Sequence, residues 1–366
     1  MSLKNKQAIK NRLYGHKDFL SQFCISKQNG ELHHAYLISG NIGIGKSLLS
    51  RQLAVYLLND NNKKTLLDNS SILDEVEYVL SLDEDNSVWR QVFYHSHPDM
   101  TYLSASKSDQ NKSGLIKIED IKSIANITNH QSGRGGWRVI IIDSLDKTNR
   151  NGANAILKIL EEPPYKTIFF LIAHNSSNVI PTIRSRCQQI KLNALSIEDT
   201  CLILKEQIRD LEDEQTKNLA LLCEGSPGMA LLIYESDIDK YMDELAKVIR
   251  EKLELDEILK LAFNWGNNIS KKPELSLATQ FIFDKLFSES ALRALNIKNN
   301  FSSNQQSYFS ISKLADILAE TFTSNELANI HMDWQKEFQF NQANYLDMGI
   351  FMQQTFYKLY SQMHFR

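Results

Sequence analysis

The stretch GNIGIGKS, from Gly40 to Ser47, limits what this 366-residue chain can fold into more than any other segment. An apolar, partly β-branched run precedes it from Ala35 to Ile38, and leucines at helical spacing follow it from Leu48 to Leu58. A phosphate-binding loop has this setting, and its pattern is two glycines separated by four residues and followed by Lys and Ser. The alternative interpretation is a glycine-rich turn, which the flanking strand and helix patterns disfavour.

The residue types of this loop predict a nucleotide site that takes ATP or ADP with Mg²⁺. Glycines permit backbone N–H groups to converge on an anion, and the N-terminus of the following helix adds partial positive charge. The lysine of such a loop reaches the β- and γ-phosphates, and the hydroxyl after it holds the ion. The predicted binding residues in the loop are Gly40, Gly43, Gly45, Lys46 and Ser47.

A second motif supplies the other group predicted to hold the metal. Val139 to Ile142 are four consecutive β-branched residues and are followed by Asp143, which is the pattern of a central parallel strand. Open α/β sheets bind ligands at the carboxyl ends of their strands. Asp143 is therefore predicted to bind Mg²⁺ through water.

Composition indicates an ordinary water-soluble protein. The net charge is −3, so no global basic excess points to nucleic acid, and any such contact must come from a local patch or from partner chains. The N-terminus lacks the apolar core of a secretory signal, and no run of about 18 apolar residues occurs. We expect a cytoplasmic protein with no membrane partner.

The four cysteines predict no zinc site. They contain no CxxC pair and have no histidine at ligand spacing, so they are expected to be reduced thiols, three of them in cores. They are Cys24, Cys187, Cys201 and Cys223.

Two groups of histidines suggest a metal-site interpretation. His33 and His34 directly precede the first strand, while His95, His97 and Asp99 alternate along the chain. Neither group has a further ligand at suitable spacing, and a proline interrupts the second. The favoured interpretations are a strand entry or nucleotide-pocket edge for the first group and a loop-to-strand junction for the second.

Strand and helix patterns alternate up to about residue 193 and predict an α/β domain, with three layers around a parallel sheet, over residues 1–193. An acidic, polar stretch at about 59–95 indicates a helix-bearing insertion. Other helices are expected at 116–128 and 154–162, and other strands at 139–143, 167–173 and 189–192.

Helical periodicity with few strand signals follows residue 193. Residues 194–236 are predicted to form a small helical lid, and residues 237–366 an all-α C-terminal domain. Its helices are expected near 238–252, 255–268, 273–289, 307–322, 324–336 and 341–363, with a polar loop at 298–307.

Five motifs occur in the order and rough spacing found in bacterial clamp-loader subunits of the AAA+ class. They are GNIGIGKS, WRVIIID, ANAILKILEEPP, PTIRSRC and EGSPGMAL. The resemblance covers residues 13–235 and is greatest to the delta-prime type of DNA polymerase III subunit, whereas the C-terminal third agrees only in its helical pattern and length. The resemblance implies an AAA+ domain, a lid and a C-terminal collar that closes a pentameric ring.

The resemblance also implies partners and one catalytic residue. Such rings contain gamma/tau and delta subunits, and they use ATP to open a sliding clamp and seat it on primed DNA. Ser185-Arg186-Cys187 resembles the arginine-finger motif, in which Arg186 acts in trans at the γ-phosphate bound by the neighbouring subunit. A planar guanidinium suits a transferring phosphoryl group. The alternative is a surface arginine before a buried cysteine.

Three positions depart from hydrolysing relatives. Ser144 stands where those relatives carry the glutamate that polarises water, and Gly228 stands where their lid carries a phosphate-sensing arginine. The sensor on the strand after the double proline falls near Ala173 or His174 rather than on a threonine. The departures imply nucleotide binding with weak or no hydrolysis, unless Asp146 substitutes for the missing glutamate.

Other functions stay open at this point. The chain could be an ATP-hydrolysing motor subunit of gamma/tau type, an autonomous AAA+ remodelling ATPase, or a scaffold that completes a ring without nucleotide. The four-cysteine zinc module of many relatives is absent, and the 59–95 insertion occupies its place. Possible DNA contacts are Arg134, Arg138, Arg150 and Lys158, each equally suited to be a solvated surface charge.

Overall fold

The structure is a computed structural model that describes residues 12–59, 71–104, 121, 136–251, 255–295, 311–344 and 346–364. It divides into two compact units. The first contains the described residues up to Asp210 together with Glu224–Gly228, and the second contains Leu211–Cys223 and the described residues from Met229 onward. The domain boundaries expected at 193 and 236 stay predictions.

Some expected features lie outside the described residues. They are Arg134, the polar loop at 298–307, and the helix at 116–128 apart from Ile121, which is fully buried.

Five parallel strands form the centre of the first unit, in the order β2-β3-β4-β1-β5. The predicted α/β fold with a parallel sheet is confirmed. The strands are β1 (Ala35–Ser39), β2 (Met100–Ser104), β3 (Arg138–Asp143), β4 (Thr167–Ala173) and β5 (Gln188–Lys191).

The strand register aligns the carboxyl ends of the strands. Ser39 at the end of β1 pairs with Ala173 at the end of β4, and Ser104 at the end of β2 pairs with Asp143 at the end of β3. The loop that begins at Gly40 therefore leaves the sheet at the same edge as Asp143, where ligands of parallel sheets bind.

The central strands are apolar on both faces because helices cover both sides of the sheet. Along β1, Tyr36 and Ile38 pack into one core cluster, and Ala35 and Leu37 pack into the other. The first cluster includes side chains of α1 (Lys17–Gln28), α2 (Lys46–Leu58), α3 (Ile72–Ser81) and α4 (Ser87–Phe93), and the second those of α5 (Arg150–Glu161) and α6 (Pro181–Arg184).

The acidic stretch after α2 contains two of these helices. A capping box starts α3, in which the backbone N–H of Asp74 donates to Ser71 Oγ at 3.2 Å and that of Ser71 donates to Asp74 Oδ2 at 3.0 Å. Buried Gln52 of α2 donates to the carbonyls of Val79 and Leu82, both at 2.7 Å. These bonds fix the helix that follows the glycine loop against α3.

The helices after β5 are α7 (Ile197–Gln207), α8 (Asp213–Leu222), α9 (Pro227–Ser236), α10 (Ile238–Glu251), α11 (Leu255–Lys271), α12 (Pro273–Ala294), α13 (Ile311–Thr321), α14 (Ser324–Ala343) and α15 (Met348–His364). The predicted helical C-terminal region is confirmed. Its core is aromatic, with Trp265 fully buried against Phe283 and Phe356, and with the Phe283 ring stacked on Trp334 at 4.7 Å between centroids.

Several local expectations need correction. Helix α5 starts at Arg150 rather than near 154, because Asn149 caps it by accepting from the N–H of Gly152 at 2.8 Å. Helix α15 starts at Met348 rather than near 341, because α14 continues to Ala343. Trp137, directly before β3, is half-buried against the core of the first unit.

The four cysteines are free thiols, as predicted, and three of them are buried. Burial raises the pKa of both Cys24 and Cys187 to about 12, so these two thiols are poor nucleophiles. Within the described part of the chain, no helix combines the length and apolar character needed to cross a membrane.

Candidate functional site

The loop between β1 and α2 has a backbone that only glycines adopt easily. Gly40, Gly43 and Gly45 have φ angles of 147°, 84° and 94°. A Cβ on Gly40 would lie 2.6 Å from the carbonyl oxygen of Leu192, so a side chain has no room there. Helix α2 begins at Lys46 without a side-chain cap. Its first N–H groups therefore point toward the loop interior as donors for an anion.

Lys46 lies inside this loop and is only 4% exposed. Its Nζ donates to the carbonyl of Gly40 at 2.6 Å and to that of Asn41 at 2.5 Å. Burial lowers the pKa of Lys46 to about 8, although the carboxylates of Asp143 and Asp146 act in the opposite direction. The ammonium is still mostly protonated at neutral pH, so it presents a positive charge beside the N-terminus of α2.

The segment Glu224–Gly228 contacts the glycine loop within the first unit. Ser226 Oγ donates to the carbonyl of Ile42 at 2.6 Å, and the N–H of Gly228 donates to the carbonyl of Gly43 at 2.9 Å. A Cβ on Gly228 would lie 2.8 Å from the Cα of Gly43. An arginine at this position would therefore displace the loop.

His16, at the start of α1, holds the loop from another side. Its Nε2 donates to the carbonyl of Ile44 at 2.9 Å. Burial lowers the pKa of His16, and the charge of Lys46 adds to this effect, so the ring is mostly neutral at pH 7. His16 also lines a cavity of about 820 Å³ together with Tyr14, Ile190 and Leu195. The sequence alone indicates no role for His16, because no motif marks a residue that contacts a loop 28 positions away.

Tyr102 joins the two residues predicted to hold Mg²⁺. Its hydroxyl donates to Asp143 Oδ2 at 2.8 Å and lies 3.2 Å from Ser47 Oγ. Burial raises the pKa of Tyr102 to about 12, with a further contribution from the Asp143 charge, so the hydroxyl keeps its proton at neutral pH. Sequence reasoning missed Tyr102 because only the pairing of β2 with β3 brings it beside Asp143.

Ser47 and Asp143 thus lie within reach of one shared oxygen atom. A hydroxyl and a carboxylate are hard oxygen donors of the kind that Mg²⁺ prefers, and Mg²⁺ is commonly bound through one or two carboxylates plus phosphate oxygens. The chemistry of these two residues therefore fits the ion.

The histidine groups have structural contacts instead of a metal-binding arrangement. The rings of His33 and His34 stack at 4.5 Å between centroids, and His97 Nδ1 accepts from the N–H of Asp99 at 3.1 Å. Among the described residues, no cluster of three or more His, Cys, Asp or Glu side chains is arranged to hold a metal ion.

The residues that follow Asp143 do not form a free general base. Ser144 has a left-handed backbone with φ 64°, and its hydroxyl lies 3.4 Å from His174 Nε2. Asp146 Oδ2 accepts from the N–H groups of His174 and Asn175 at 3.2 and 3.3 Å. The Asp146 carboxylate is thus engaged in holding the backbone that follows β4. Burial and the charge of Lys46 lower the pKa of His174.

Arg186 lies at the opposite end of the strands from the glycine loop. It precedes β5, which runs parallel to β1 with Gln188 opposite Tyr36, so it is near the amino ends of the strands. Its Nη2 lies 2.7 Å from Glu161 Oε1, and its Nη1 donates to the carbonyl of Thr182 at 3.0 Å. The structure therefore does not bring Arg186 together with Lys46, Ser47 and Asp143.

The basic residues considered for DNA contact differ in exposure. Arg150 and Lys158 are exposed on α5. Arg138 is 6% exposed at the start of β3, so its side chain does not have the surface position that both a DNA contact and a solvated charge require.

Comparison with known proteins identifies relatives of this fold and site. Residues 15–196 match the family described as DNA polymerase III, delta subunit. The chain is 26% identical over 223 residues to DNA polymerase III subunit delta' of Pseudomonas aeruginosa, which covers 60% of this chain and 61% of that protein. It is 28% identical over 211 residues to subunit gamma of Buchnera aphidicola subsp. Schizaphis graminum, covering 56% and 52%.

A third relative is subunit tau of Escherichia coli, 29% identical over 217 residues, with 57% of this chain and 30% of that protein covered. The matched region thus spans between about a third and three fifths of these relatives. Among solved structures, a DNA polymerase III gamma subunit-related protein of Thermotoga maritima aligns with 96% of this chain and all of that chain, at 17% identity and a TM-score of 0.47.

The burial of Lys46 makes stability depend on pH in a defined direction. Its folded pKa of about 8 is below its ordinary value of 10.5, so between these values the unfolded chain binds more protons and the free energy of unfolding rises with pH. Relative to Lys46→Met, the wild type should gain about 1–2 kcal/mol between about pH 7.5 and 9.5. Urea unfolding of both proteins measures this difference, and a difference that is constant or falls with pH would contradict the burial of the ammonium.

Proposed function

Because this chain is a member of the DNA polymerase III clamp-loader subunit family, we propose that it is a delta-prime-type subunit that binds nucleotide but hydrolyses it weakly or not at all. In the assembled complex it supplies Arg186 to a neighbouring subunit's ATP site. The observation that carries the proposal is a complete glycine loop beside Ser144 and Gly228, which replace the groups that support hydrolysis in relatives.

Nucleotide binding is the first part of the proposal. The phosphates of ATP or ADP contact the loop from Gly40 to Gly45, the Lys46 ammonium and the N–H groups that start α2. The cavity beside His16 has about 820 Å³, which is within the range of small-ligand pockets. Ser47 and Asp143 are the residues that would hold Mg²⁺, which neutralises phosphate charge when bound.

Weak hydrolysis follows from the side chains around Asp143. A serine hydroxyl is not a base at neutral pH, so Ser144 does not activate water. Asp146 accepts hydrogen bonds from two backbone N–H groups. The Ser144 hydroxyl lies 3.4 Å from Nε2 of His174. The close approach of Gly228 to Gly43 leaves no space for a sensor arginine.

Action of Arg186 in trans is supported by its place in the fold. It lies near the amino ends of the strands, away from this chain's own glycine loop at their carboxyl ends. It is partly exposed, with 37% of its side chain accessible. Glu161 contacts Nη2 and the Thr182 carbonyl accepts from Nη1. Because a guanidinium has five N–H donors, others are left for a phosphate.

The proposed partners follow from the relatives. They are gamma/tau and delta subunits, a sliding clamp, and primed DNA reached through the assembled complex in the cytoplasm. The main competing function is an ATP-hydrolysing motor subunit, since gamma and tau subunits are among the matched proteins. Measured turnover distinguishes the two functions.

Lys46→Ala should weaken ATP and ADP binding about tenfold to a hundredfold, because it removes a charge-assisted contact to phosphate. Calorimetric titration of the purified chain measures this change. Lys217→Ala, at an exposed lysine of α8, is the matched control and should bind like the wild type. Equal affinity in Lys46→Ala and the control, or no binding by the wild type, would contradict nucleotide binding at this loop.

The isolated chain should hydrolyse ATP far more slowly than about 1 s⁻¹, the low end of typical enzymes. Ser144→Glu alone should not restore turnover, because Gly228 and the missing neighbouring arginine still limit the site. Steady-state phosphate release measures both proteins. Robust turnover by the pure wild-type chain would favour the motor-subunit alternative.

Arg186→Ala should leave folding, assembly and this chain's own nucleotide affinity unchanged, while it slows hydrolysis at one neighbouring site by about 10³ to 10⁵. Total DNA-stimulated ATPase of the reconstituted complex should then fall by that site's share. Arg186→Lys should restore little, because an ammonium lacks the planar fork.

The matched control is Arg209→Ala, at an exposed arginine just after α7, which should have wild-type activity. Complexes that contain wild-type, Arg186→Ala or Arg209→Ala chains are compared in ATPase and clamp-loading assays. Equal rates for all three would show that Arg186 is only a surface residue.

A further inference from the structure

We propose that the Tyr102 hydroxyl competes with Mg²⁺ for Ser47 and Asp143 and so makes nucleotide binding by this chain nearly independent of the ion. The inference rests on the proposed nucleotide binding at the same loop. Under this proposal Tyr102 determines whether the chain binds free nucleotide or nucleotide complexed with Mg²⁺.

The first support is the position of the hydroxyl. It lies 2.8 Å from Asp143 Oδ2 and 3.2 Å from Ser47 Oγ, and thus in the space between the two groups that would share the ion. Mg²⁺ requires near-ideal octahedral coordination at 2.0–2.1 Å and gives up its water reluctantly. The ion and its water shell therefore cannot enter this space until the hydroxyl leaves it.

The second support is that the Tyr102 ring is held in place. His95 stacks on it with 4.4 Å between ring centroids, and the guanidinium of Arg51 lies 5.9 Å from its centroid. Arg51 also donates from Nε to the carbonyl of Ser47 at 3.3 Å. The backbone of Tyr102 is fixed by the parallel pairing of β2 with β3. Mg²⁺ must therefore displace an ordered donor instead of a mobile water molecule.

The third support is electrostatic. The Tyr102 O–H satisfies the Asp143 carboxylate without adding charge, whereas the ion would bring two positive charges close to Lys46. The Lys46 ammonium is already buried in the loop, and with the N-terminus of α2 it offers a metal-free set of contacts for phosphate. In this chain the hydroxyl thus takes the place that Mg²⁺ has in a hydrolysing site.

The test is Tyr102→Phe, which removes the hydroxyl and keeps the ring that stacks on His95. ADP affinity of the full chain is measured calorimetrically in excess Mg²⁺ and in EDTA. The wild type should show the same affinity in both conditions within about threefold, whereas the variant should bind at least about tenfold more tightly with Mg²⁺. Tyr165→Phe, at a tyrosine that is 89% exposed, is the matched control and should behave like the wild type.

A second measurement needs no variant. Mn²⁺, a paramagnetic substitute for Mg²⁺, is titrated into the ADP complex of the wild-type chain and followed by electron paramagnetic resonance. The wild-type complex is expected to bind Mn²⁺ no more tightly than free ADP does under the same conditions. Tight Mn²⁺ binding by the wild-type complex would overturn the proposal even if the variant failed to fold.

The outcomes separate this inference from the proposed function. ADP binding by both proteins with the same dependence on Mg²⁺ would overturn the role of Tyr102 and leave nucleotide binding intact. A complete lack of ADP binding in the wild type and in Tyr102→Phe, with and without the ion, would overturn both.

Discussion

The pairing of β1 between β4 and β5 determines where the chemistry of this chain lies. Because β1 is central and buried on both faces, the loop that leaves it emerges at the edge where β3 and β4 also end. Asp143 and His174 reach the same edge without any local sequence signal that links them to Gly40. The same parallel pairing places Arg186 near the amino ends of the strands. One sheet thus separates a binding loop from a partly exposed arginine.

The glycine loop is preorganised by groups from two other parts of the first unit. His16 binds the carbonyl of Ile44, while Ser226 and Gly228 bind the carbonyls of Ile42 and Gly43. Lys46 binds the loop from within. Because each carbonyl is engaged outward or by Lys46, the loop keeps its amide groups oriented. A ligand that binds a preorganised loop loses less free energy to ordering.

The sequence predicted elements whose signals are local. The strand from Thr167 to Ala173 was predicted at both ends, since it is a continuous apolar run bounded by turn residues. The loop and Asp143 follow from motifs of adjacent residues. By contrast, Tyr102, His16 and the approach of Gly228 to Gly43 depend on pairings between distant segments, which no periodicity records. Arg138 was expected at the surface because of its charge, but it is buried because it is the first residue of the central strand β3.

The buried ammonium of Lys46 also links any anion that binds at this loop to pH. Burial of a charge is unfavourable unless it is compensated, and the lowered pKa of Lys46 is the sign of that unfavourable environment. The carbonyls of Gly40 and Asn41 supply part of the compensation. An anion held at the loop would supply more, so its binding would raise the pKa of Lys46, and loss of the lysine's proton at high pH would in turn weaken the anion's binding.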